Sequence, residues 1–159
     1  MNILGIFLVI IICILGALYI AGAVRTYKME HGAMQEQFIK GKAQGSSLDG
    51  DYIGEAVGLK ETSWKGKTLS HADKTGINRI MEGSELVKKY PFKFFVRKGL
   101  RDKKMDVIVL DSNQPGNSWW LKYIVDEMVE VSAEKYLGKV HVQVIPGIVF
   151  TLGYFTLSK

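Results

Sequence analysis

An uncharged and almost wholly apolar stretch of twenty-two residues, Ile3 to Val24, constrains this chain more than any other feature. As an α-helix it would be about 33 Å long, which is enough to cross the roughly 30 Å hydrocarbon core of a bilayer. Arg25 and Lys28 follow at once, where their side chains can reach lipid phosphates. We therefore interpret residues 1–24 as a single transmembrane anchor, and we expect membrane lipids to be partners of the chain.

Two other interpretations of the N-terminus are possible. Ala21-Gly22-Ala23 resembles the cleavage site of a signal peptide, but Met1-Asn2 carries no basic residue. The apolar run is also longer than the roughly 7–15 residues usual for a signal peptide. A lipoprotein would use Cys13, but Ile12 stands where a small residue is expected. The anchor is the favoured interpretation, and an exported, periplasmic domain after signal-peptide cleavage is the alternative.

Charge and cysteine usage indicate on which side of the membrane the remaining chain lies. Basic residues are absent before the apolar stretch and present directly after it, so the positive-inside rule predicts a cytoplasmic domain. The single cysteine, Cys13, lies inside the stretch, so the domain needs no oxidising compartment. The net charge of +5 suits a surface near anionic lipid. We find no nucleic-acid-binding motif and expect no nucleic-acid partner.

Residues 25–50 predict a connection between the anchor and a separate domain. Arg25–Lys40 can continue the helix beyond the membrane, and Tyr27, Met34 and Phe38 form an apolar stripe on it. This segment could be a solvated stalk, an interfacial helix or a face that binds a partner. Gly41–Gly50 is rich in Gly and Ser and is typical of a flexible linker.

Residues 51–159 have the pattern of an antiparallel β domain, in which short β-branched and aromatic runs alternate with turn signals. The predicted strands are Tyr52–Leu59, Lys65–Ser70, Gly76–Met81, Phe92–Arg97, Met105–Leu110, Tyr123–Val131, Tyr136–Ile145 and Ile148–Leu157. Closure into a small barrel would remove exposed strand edges. Two stretches are predicted as helical: Glu82–Tyr90, and the start of Asn117–Asp126, whose later part also fits a strand.

Seven short motifs of this domain resemble those of a known kind of small barrel. They are Ser63–Lys67, Gly76–Arg79, Gly99–Asp102, Asp106–Asp111, Asp126-Glu127, Tyr136–Lys139 and Gly153–Phe155. Over residues 48–159 they resemble an uncharacterised bacterial family of lipocalin-like, calycin-type β-barrels, the GXWXG type. Thr62 stands where that pattern has its first glycine. The resemblance implies a barrel able to hold a small apolar ligand, and it implies no known reaction.

A ligand pocket inside the barrel is one of two interpretations, because a barrel of about eight strands holds either a packed interior or one small ligand. Asp126-Glu127 is a carboxylate pair within an apolar run, so at most one of the two points inward, and Arg79 or Arg101 could neutralise it. Dense core packing is the alternative. The candidate pocket residues are Trp64, Asn78, Arg79, Tyr123, Asp126, Glu127 and Tyr154.

A second predicted site is a surface that faces the membrane. Its candidates are a basic cluster and a Trp pair: Lys93, Arg97, Lys98, Arg101, Lys103, Lys104, Trp119 and Trp120. Cations near anionic lipid, and aromatic side chains at the headgroup level, both strengthen membrane association. A solubilising turn is the alternative for the basic cluster.

The predicted function is that of a single-pass membrane protein whose barrel binds or shields an apolar, lipid-like molecule. One alternative is an accessory subunit of a larger membrane complex. Another is an enzyme that acts on a lipophilic substrate and uses Asp126 or Glu127 as acid or base. His31, His71 and His141 lack metal-ligand spacing, and no catalytic constellation stands out, so we predict no metal, no cofactor and no reaction.

Overall fold

The computed structural model of the protein describes residues 2–44 and 48–159. The first element, α1 (Ile3–Glu30), has 28 residues, and it alone among the described helices is long and apolar enough to cross a membrane. Asn2 caps it by accepting a hydrogen bond from the Gly5 amide at 2.9 Å. The helix extends past the apolar stretch, as predicted, but it ends ten residues before the predicted Lys40.

A break after α1 divides the predicted juxtamembrane helix into two. Gly32 adopts an extended conformation, and a second helix, α2 (Ala33–Lys40), begins after it. Beyond α2, the Lys42 amide and carbonyl exchange hydrogen bonds with those of Glu130, at 3.0 and 2.8 Å. Leu48 is fully buried. The predicted linker Gly41–Gly50 is therefore attached to the barrel on both sides of residues 45–47, which lie outside the described residues.

Eight strands form a closed antiparallel barrel, which confirms the predicted fold. They are β1 (Gly50–Ala56), β2 (Trp64–Ser70), β3 (Thr75–Glu82), β4 (Glu85–Lys98), β5 (Asp106–Asp111), β6 (Ile124–Ser132), β7 (Lys135–Ile145) and β8 (Ile148–Ser158). Each strand pairs with the next, and β8 closes the barrel by pairing with β1. Closure satisfies the backbone groups that an open edge would leave unpaired.

The two helices predicted inside this domain are not formed. Gly83, with φ of +62°, and Ser84 make a tight turn, so Glu85 pairs with Glu82. The predicted helix Glu82–Tyr90 is instead the end of β3, this turn and the start of β4. Cross-strand pairing with β3 outweighs the weak stability of one short helix. In Asn117–Asp126 only a single 3-10 turn forms, at Leu121–Tyr123, and β6 follows it.

The strand directions define two ends of the barrel. Loops 57–63, 83–84, 112–123 and 146–147 lie at what we call the upper end, and loops 71–74, 99–105 and 133–134 lie at the lower end. α1 packs along β8: Tyr19 contacts Phe150 near the upper end, and the Met29 carbonyl accepts a hydrogen bond from Tyr154 further down. The N-terminal part of α1 therefore leaves the barrel on the side of its upper end, and nearly all of residues 3–18 are exposed.

The barrel wall is buried on both faces where the helices cover it. The interior core contains Leu48, Tyr52, Leu69, Phe92, Phe94, Ile108, Leu110, Met128, Tyr136, Phe155 and Leu157. A second core lies outside, between the wall and α2, and contains Phe38, Val107, Val109, Val129, Leu137 and Tyr154. Each of these cores also encloses a buried lysine.

Candidate functional site

A buried lysine lies at the centre of the barrel interior. Lys67, in β2, has only 3% of its surface exposed. Its Nζ donates hydrogen bonds to Asn78 Oδ1 at 2.8 Å and to Asp126 Oδ2 at 3.0 Å. Trp64 Nε1 donates to the same Asn78 oxygen at 3.0 Å. Three strands, β2, β3 and β6, thus bring their polar side chains to one point inside an apolar core.

Three aromatic rings surround the Lys67 ammonium. Its Nζ lies 4.8 Å from the ring centre of Phe92, 5.3 Å from that of Phe155 and 5.5 Å from that of Trp64. Ring faces attract cations at such distances. The Asp126 carboxylate, the Asn78 amide oxygen and the rings together compensate the ammonium for the water it loses on burial.

Each of these three aromatic rings occupies a space left open by a glycine. A Cβ added to Gly76 would lie 2.3 Å from the Phe92 ring, and one added to Gly138 would lie 2.1 Å from the Phe155 ring. Gly54 stands in the same relation to Trp64, at 2.4 Å. No real Cβ approaches this closely, so the glycines are required for the rings to lie where they do.

A β-bulge in β2 aims Trp64 into the interior. The pairing of β2 with β3 shifts by one residue between Trp64 and Gly66. Gly66 has φ of +125°, and a Cβ there would lie 2.0 Å from the Tyr52 carbonyl oxygen. The extra residue reverses the alternation locally, so Trp64 and Lys67 can both contribute to one site although they are three residues apart.

A cavity of about 220 Å³ adjoins the Lys67–Asp126 pair. Its lining consists of Ala56, Trp64, Lys67, Asn78, Asp126, Val140, Tyr154 and Phe155. A larger groove of about 660 Å³ runs along the β1–β2 loop and shares Ala56 and Trp64 with the cavity. The Asp126 side chain is 16% exposed and that of Lys67 4%, so the carboxylate is the more accessible member of the pair.

The structure brings together four of the seven predicted pocket residues, namely Trp64, Asn78, Asp126 and Tyr154. Only the first three present polar atoms to the Lys67 site, since the Tyr154 hydroxyl donates outside the barrel to Gln35 Oε1 at 2.8 Å. The other three predicted residues, Arg79, Tyr123 and Glu127, are not part of the cavity lining.

The predicted arginine partner of the carboxylate pair is wrong. Asp126 pairs with Lys67, while Arg79 donates to the Tyr52 carbonyl at 3.4 Å and Arg101 pairs with Glu30. Sequence reasoning missed Lys67 altogether. Lys67 and Leu69 are two residues apart, so strand alternation places both side chains on one face of β2. Trp64 lies on the same face only because of the bulge, which the sequence does not reveal.

Glu127, the second carboxylate, lies on the outer face of the wall and is fully buried. It accepts hydrogen bonds from the Leu100 amide at 2.7 Å and lies 3.2 Å from His141 Nε2. His141 Nδ1 lies 3.2 Å from Thr151 Oγ1, and the Thr151 amide donates to Thr26 Oγ1 of α1 at 2.9 Å. This buried chain of polar groups connects the lower-end loop, the barrel wall and α1.

Lys139 forms a second buried pair on the same outer face. Its Nζ lies 2.6 Å from Asp102 Oδ2 and 4.8 Å from the ring centre of Phe38 in α2. Gln35 Nε2 donates to the other Asp102 oxygen at 2.7 Å. Burial raises the pKa of Tyr154 above its ordinary value of 10.0, and the negative charges of Asp102 and Glu30 raise it further. These contacts fix α2 and the 99–105 loop to the barrel.

Glu30, at the end of α1, is paired with Arg101, whose Nη2 donates to Glu30 Oε2 at 2.8 Å. Burial alone would raise the pKa of Glu30, but the hydrogen bond and charge of Arg101, helped by Lys139, hold it below its ordinary value of 4.5. Arg101 Nη1 also donates to the Val149 carbonyl at 3.1 Å. The pair therefore joins α1 to both β8 and the lower-end loop.

This depressed pKa predicts an acid-sensitive attachment of α1. A lowered folded-state pKa adds stability that is present above the unfolded value near 4.5 and lost as pH falls through the folded-state pKa. We expect Glu30→Gln to destabilise the protein at pH 7 and to cost progressively less below about pH 4.5. Unfolding of both proteins in detergent at several pH values measures this. An equal difference at every pH would contradict it.

The predicted membrane-surface residues do not form one surface. Arg101, Lys103 and Lys104 are in the lower-end loop, whereas Trp119 and Trp120 are in the 112–123 loop at the upper end. The remaining cations, Lys93, Arg97 and Lys98, are in β4. Lys98 pairs with Asp106, and Arg97 Nη2 lies 3.9 Å from Glu127 Oε1. The basic cluster and the Trp pair therefore have to be considered separately.

No group of three metal-ligating side chains comes together among residues 2–44 and 48–159. The site that the described chain does assemble is a cavity with one compensated ion pair. The resemblance to lipocalin-like barrels stays a prediction. Comparison of the chain with protein families, with curated proteins and with solved structures finds no match.

Proposed function

We propose that the protein is a membrane-tethered binding protein that holds a small amphiphilic molecule in the cavity beside Lys67 and Asp126. The observation that carries this proposal is the cavity itself, where a partly accessible carboxylate adjoins the apolar side chains of Trp64, Val140 and Phe155. Binding sites for small molecules combine apolar linings with a few placed polar groups in this way.

The polar groups favour a ligand with a hydrogen-bond donor. Lys67 already donates to Asn78 and Asp126, so the ammonium is neutralised and does not call for a free anion. Asp126 is the accessible acceptor, which suits the hydroxyl of an alcohol or the ammonium of an amine. Because about 220 Å³ is less than the roughly 300–1,000 Å³ of pockets for drug-sized ligands, the cavity would enclose one end of the ligand. The groove beside Trp64 offers room for the rest.

The tether in this proposal is α1, with the barrel on the cytoplasmic side. The length and apolarity of α1 support a membrane span, and its charge pattern supports the orientation. Retention of the helix, rather than its removal as a signal peptide, is supported by the contacts that it makes with the barrel. Tyr19 packs edge-on against Phe150, and Thr26, which is almost fully buried, accepts the Thr151 amide.

The accessory-subunit alternative has less support. A subunit needs an apolar surface that is free for its partner, but α1 packs on β8, and Phe38 of the predicted apolar stripe packs against Tyr154 within this chain. An enzyme that uses Glu127 is not favoured either, because that carboxylate is fully buried and is not part of the cavity lining.

A fluorinated alcohol tests the binding proposal. We expect the full chain in lipid nanodiscs to bind 6,6,6-trifluorohexan-1-ol, with a bound ¹⁹F resonance, more tightly than the matched trifluoroalkane that lacks the hydroxyl. Val140→Phe fills the cavity without removing the ion pair and should weaken binding at least about tenfold. Val96→Phe, at an exposed position, is the matched control and should bind like the wild type. Equal binding by Val140→Phe would rule out the cavity as the site.

A further inference from the structure

The upper end of the barrel carries an exposed apolar surface that the proposed function does not use. Trp119 and Trp120 are 74% and 48% exposed, and Val144 and Ile145 are 64% and 58% exposed. We propose that these four residues, which we call the upper rim, dock the barrel into the interface of the bilayer that α1 spans. This inference rests on α1 being a membrane span, as proposed above.

The contact between α1 and β8 sets the height of the rim. The ring centres of Tyr19 and Phe150 are 5.5 Å apart, and Gly22 lies so close that an added Cβ would be 2.8 Å from the Phe150 ring. Tyr19 and Gly22 are among the last residues of the apolar stretch, six and three residues before Arg25. The start of β8 and the adjoining β7–β8 turn thus lie beside the end of the proposed span that is next to Arg25, which is the depth of the membrane–water interface.

The charges of the rim suit this depth. No acidic residue occurs in residues 112–125 or 142–150, and Lys122 is the single basic one. Tryptophans and cations of this kind are typical of the membrane–water interface. The lower-end loop differs sharply, since it contains Arg101, Asp102, Lys103 and Lys104. The two loops that form the rim are therefore suited to lipid, and the 99–105 loop is suited to water.

The bilayer is the favoured occupant because α1 leads to it from the same end. Residues 3–18 continue α1 from Tyr19 on the side of the upper end, and nearly every one of their side chains is exposed, so lipid that surrounds them also reaches the adjacent rim. A protein partner would have to compete with lipid for this position. Docking would also place the groove along loop 57–63 at the membrane surface, where an amphiphile could enter from lipid.

Spin-label accessibility tests the inference on the full chain in nanodiscs. A nitroxide label is attached to Ile145→Cys in a Cys13→Ser background, and the matched control is Lys103→Cys at the exposed lower end. The ratio of collision with oxygen to collision with a polar nickel complex should be severalfold higher at position 145 than at position 103. The wild-type protein labelled at Cys13, its only cysteine, reports on α1 itself.

The outcomes separate this inference from the proposed function. Lipid-like accessibility at Cys13 combined with water-like accessibility at position 145 would overturn the docking of the rim and leave the anchor intact. Water-like accessibility at Cys13 would overturn both. Protection of position 145 from oxygen and from the nickel complex alike would show that protein covers the rim, which also contradicts docking to lipid.

Discussion

Replacing Asp102 with alanine is expected to lower the free energy of unfolding by about 3–5 kcal/mol. The reason is that Lys139 has no exposed side-chain surface, and the Asp102 carboxylate is 2.6 Å from its ammonium. Removal of one member of a buried pair leaves the other charge out of water and uncompensated. The ring of Phe38 at 4.8 Å is too weak a partner to make up the loss. Chemical unfolding in detergent micelles, followed by tryptophan fluorescence, measures the change.

An exposed pair in the same part of the molecule provides the control. Lys98 and Asp106 are 3.0 Å apart, with side chains 61% and 56% exposed, so Asp106→Ala should change the free energy of unfolding by less than about 1 kcal/mol. Adding Lys139→Met to Asp102→Ala removes the stranded charge and should recover much of the lost stability. If Asp102→Ala proves as mild as Asp106→Ala, the buried pair does not hold the loop and α2 in place.

Gly138→Ala is expected to destabilise the barrel by about 2–3 kcal/mol through overpacking. The new Cβ would stand 2.1 Å from the Phe155 ring, which is 4% exposed and enclosed by the interior core. This cost outweighs the roughly 0.5–1 kcal/mol that a strand gains when alanine replaces glycine. Thermal unfolding of the full chain in micelles measures it, and binding of the fluorinated alcohol should weaken because Phe155 lines the cavity.

Gly153 in the neighbouring strand is the matched control, since the nearest atom to an added Cβ there, Arg25 Nη2, is 3.9 Å away. Gly153→Ala should therefore be neutral or slightly stabilising. The double variant Gly138→Ala, Phe155→Leu should be more stable than Gly138→Ala alone, because the smaller side chain makes room for the methyl group. Equal unfolding of Gly138→Ala and Gly153→Ala would show that the Phe155 ring does not depend on the glycine.

The barrel could be predicted because its signals are local. Alternation in Tyr136–Ile145 and the turn at Pro146-Gly147 are read directly from neighbouring residues, and all eight predicted strands occur. The helix predicted at Glu82–Tyr90 failed for the opposite reason. Ser84 and Pro91 resemble helix boundaries. In the structure Glu85 pairs with Glu82 and Pro91 pairs with Ile77, and these contacts with β3 cannot be read from residues 82–90 alone.

The candidate site could be predicted only in part because it depends on register. Trp64, Asn78 and Asp126 were recognised as polar or aromatic residues in suggestive places, but the residue that joins them, Lys67, resembles a solvent-exposed lysine in sequence. Its position beside Trp64 follows from the bulge at Gly66, and no short-range pattern reveals a bulge of this kind. The same holds for Lys139, whose burial depends on the docking of α2.

Because α1 and α2 pack against the barrel, the folding unit includes these two helices as well as the eight strands. Residues 26–40 help to shield Glu127, Lys139 and His141 from solvent. A recombinant fragment starting at Leu48 would therefore expose these groups and the apolar residues of the outer core. Such a fragment has every strand and still lacks the two helices that cover the outer core. Biochemists who seek a soluble version of this protein should therefore cut within the apolar stretch, ahead of Arg25.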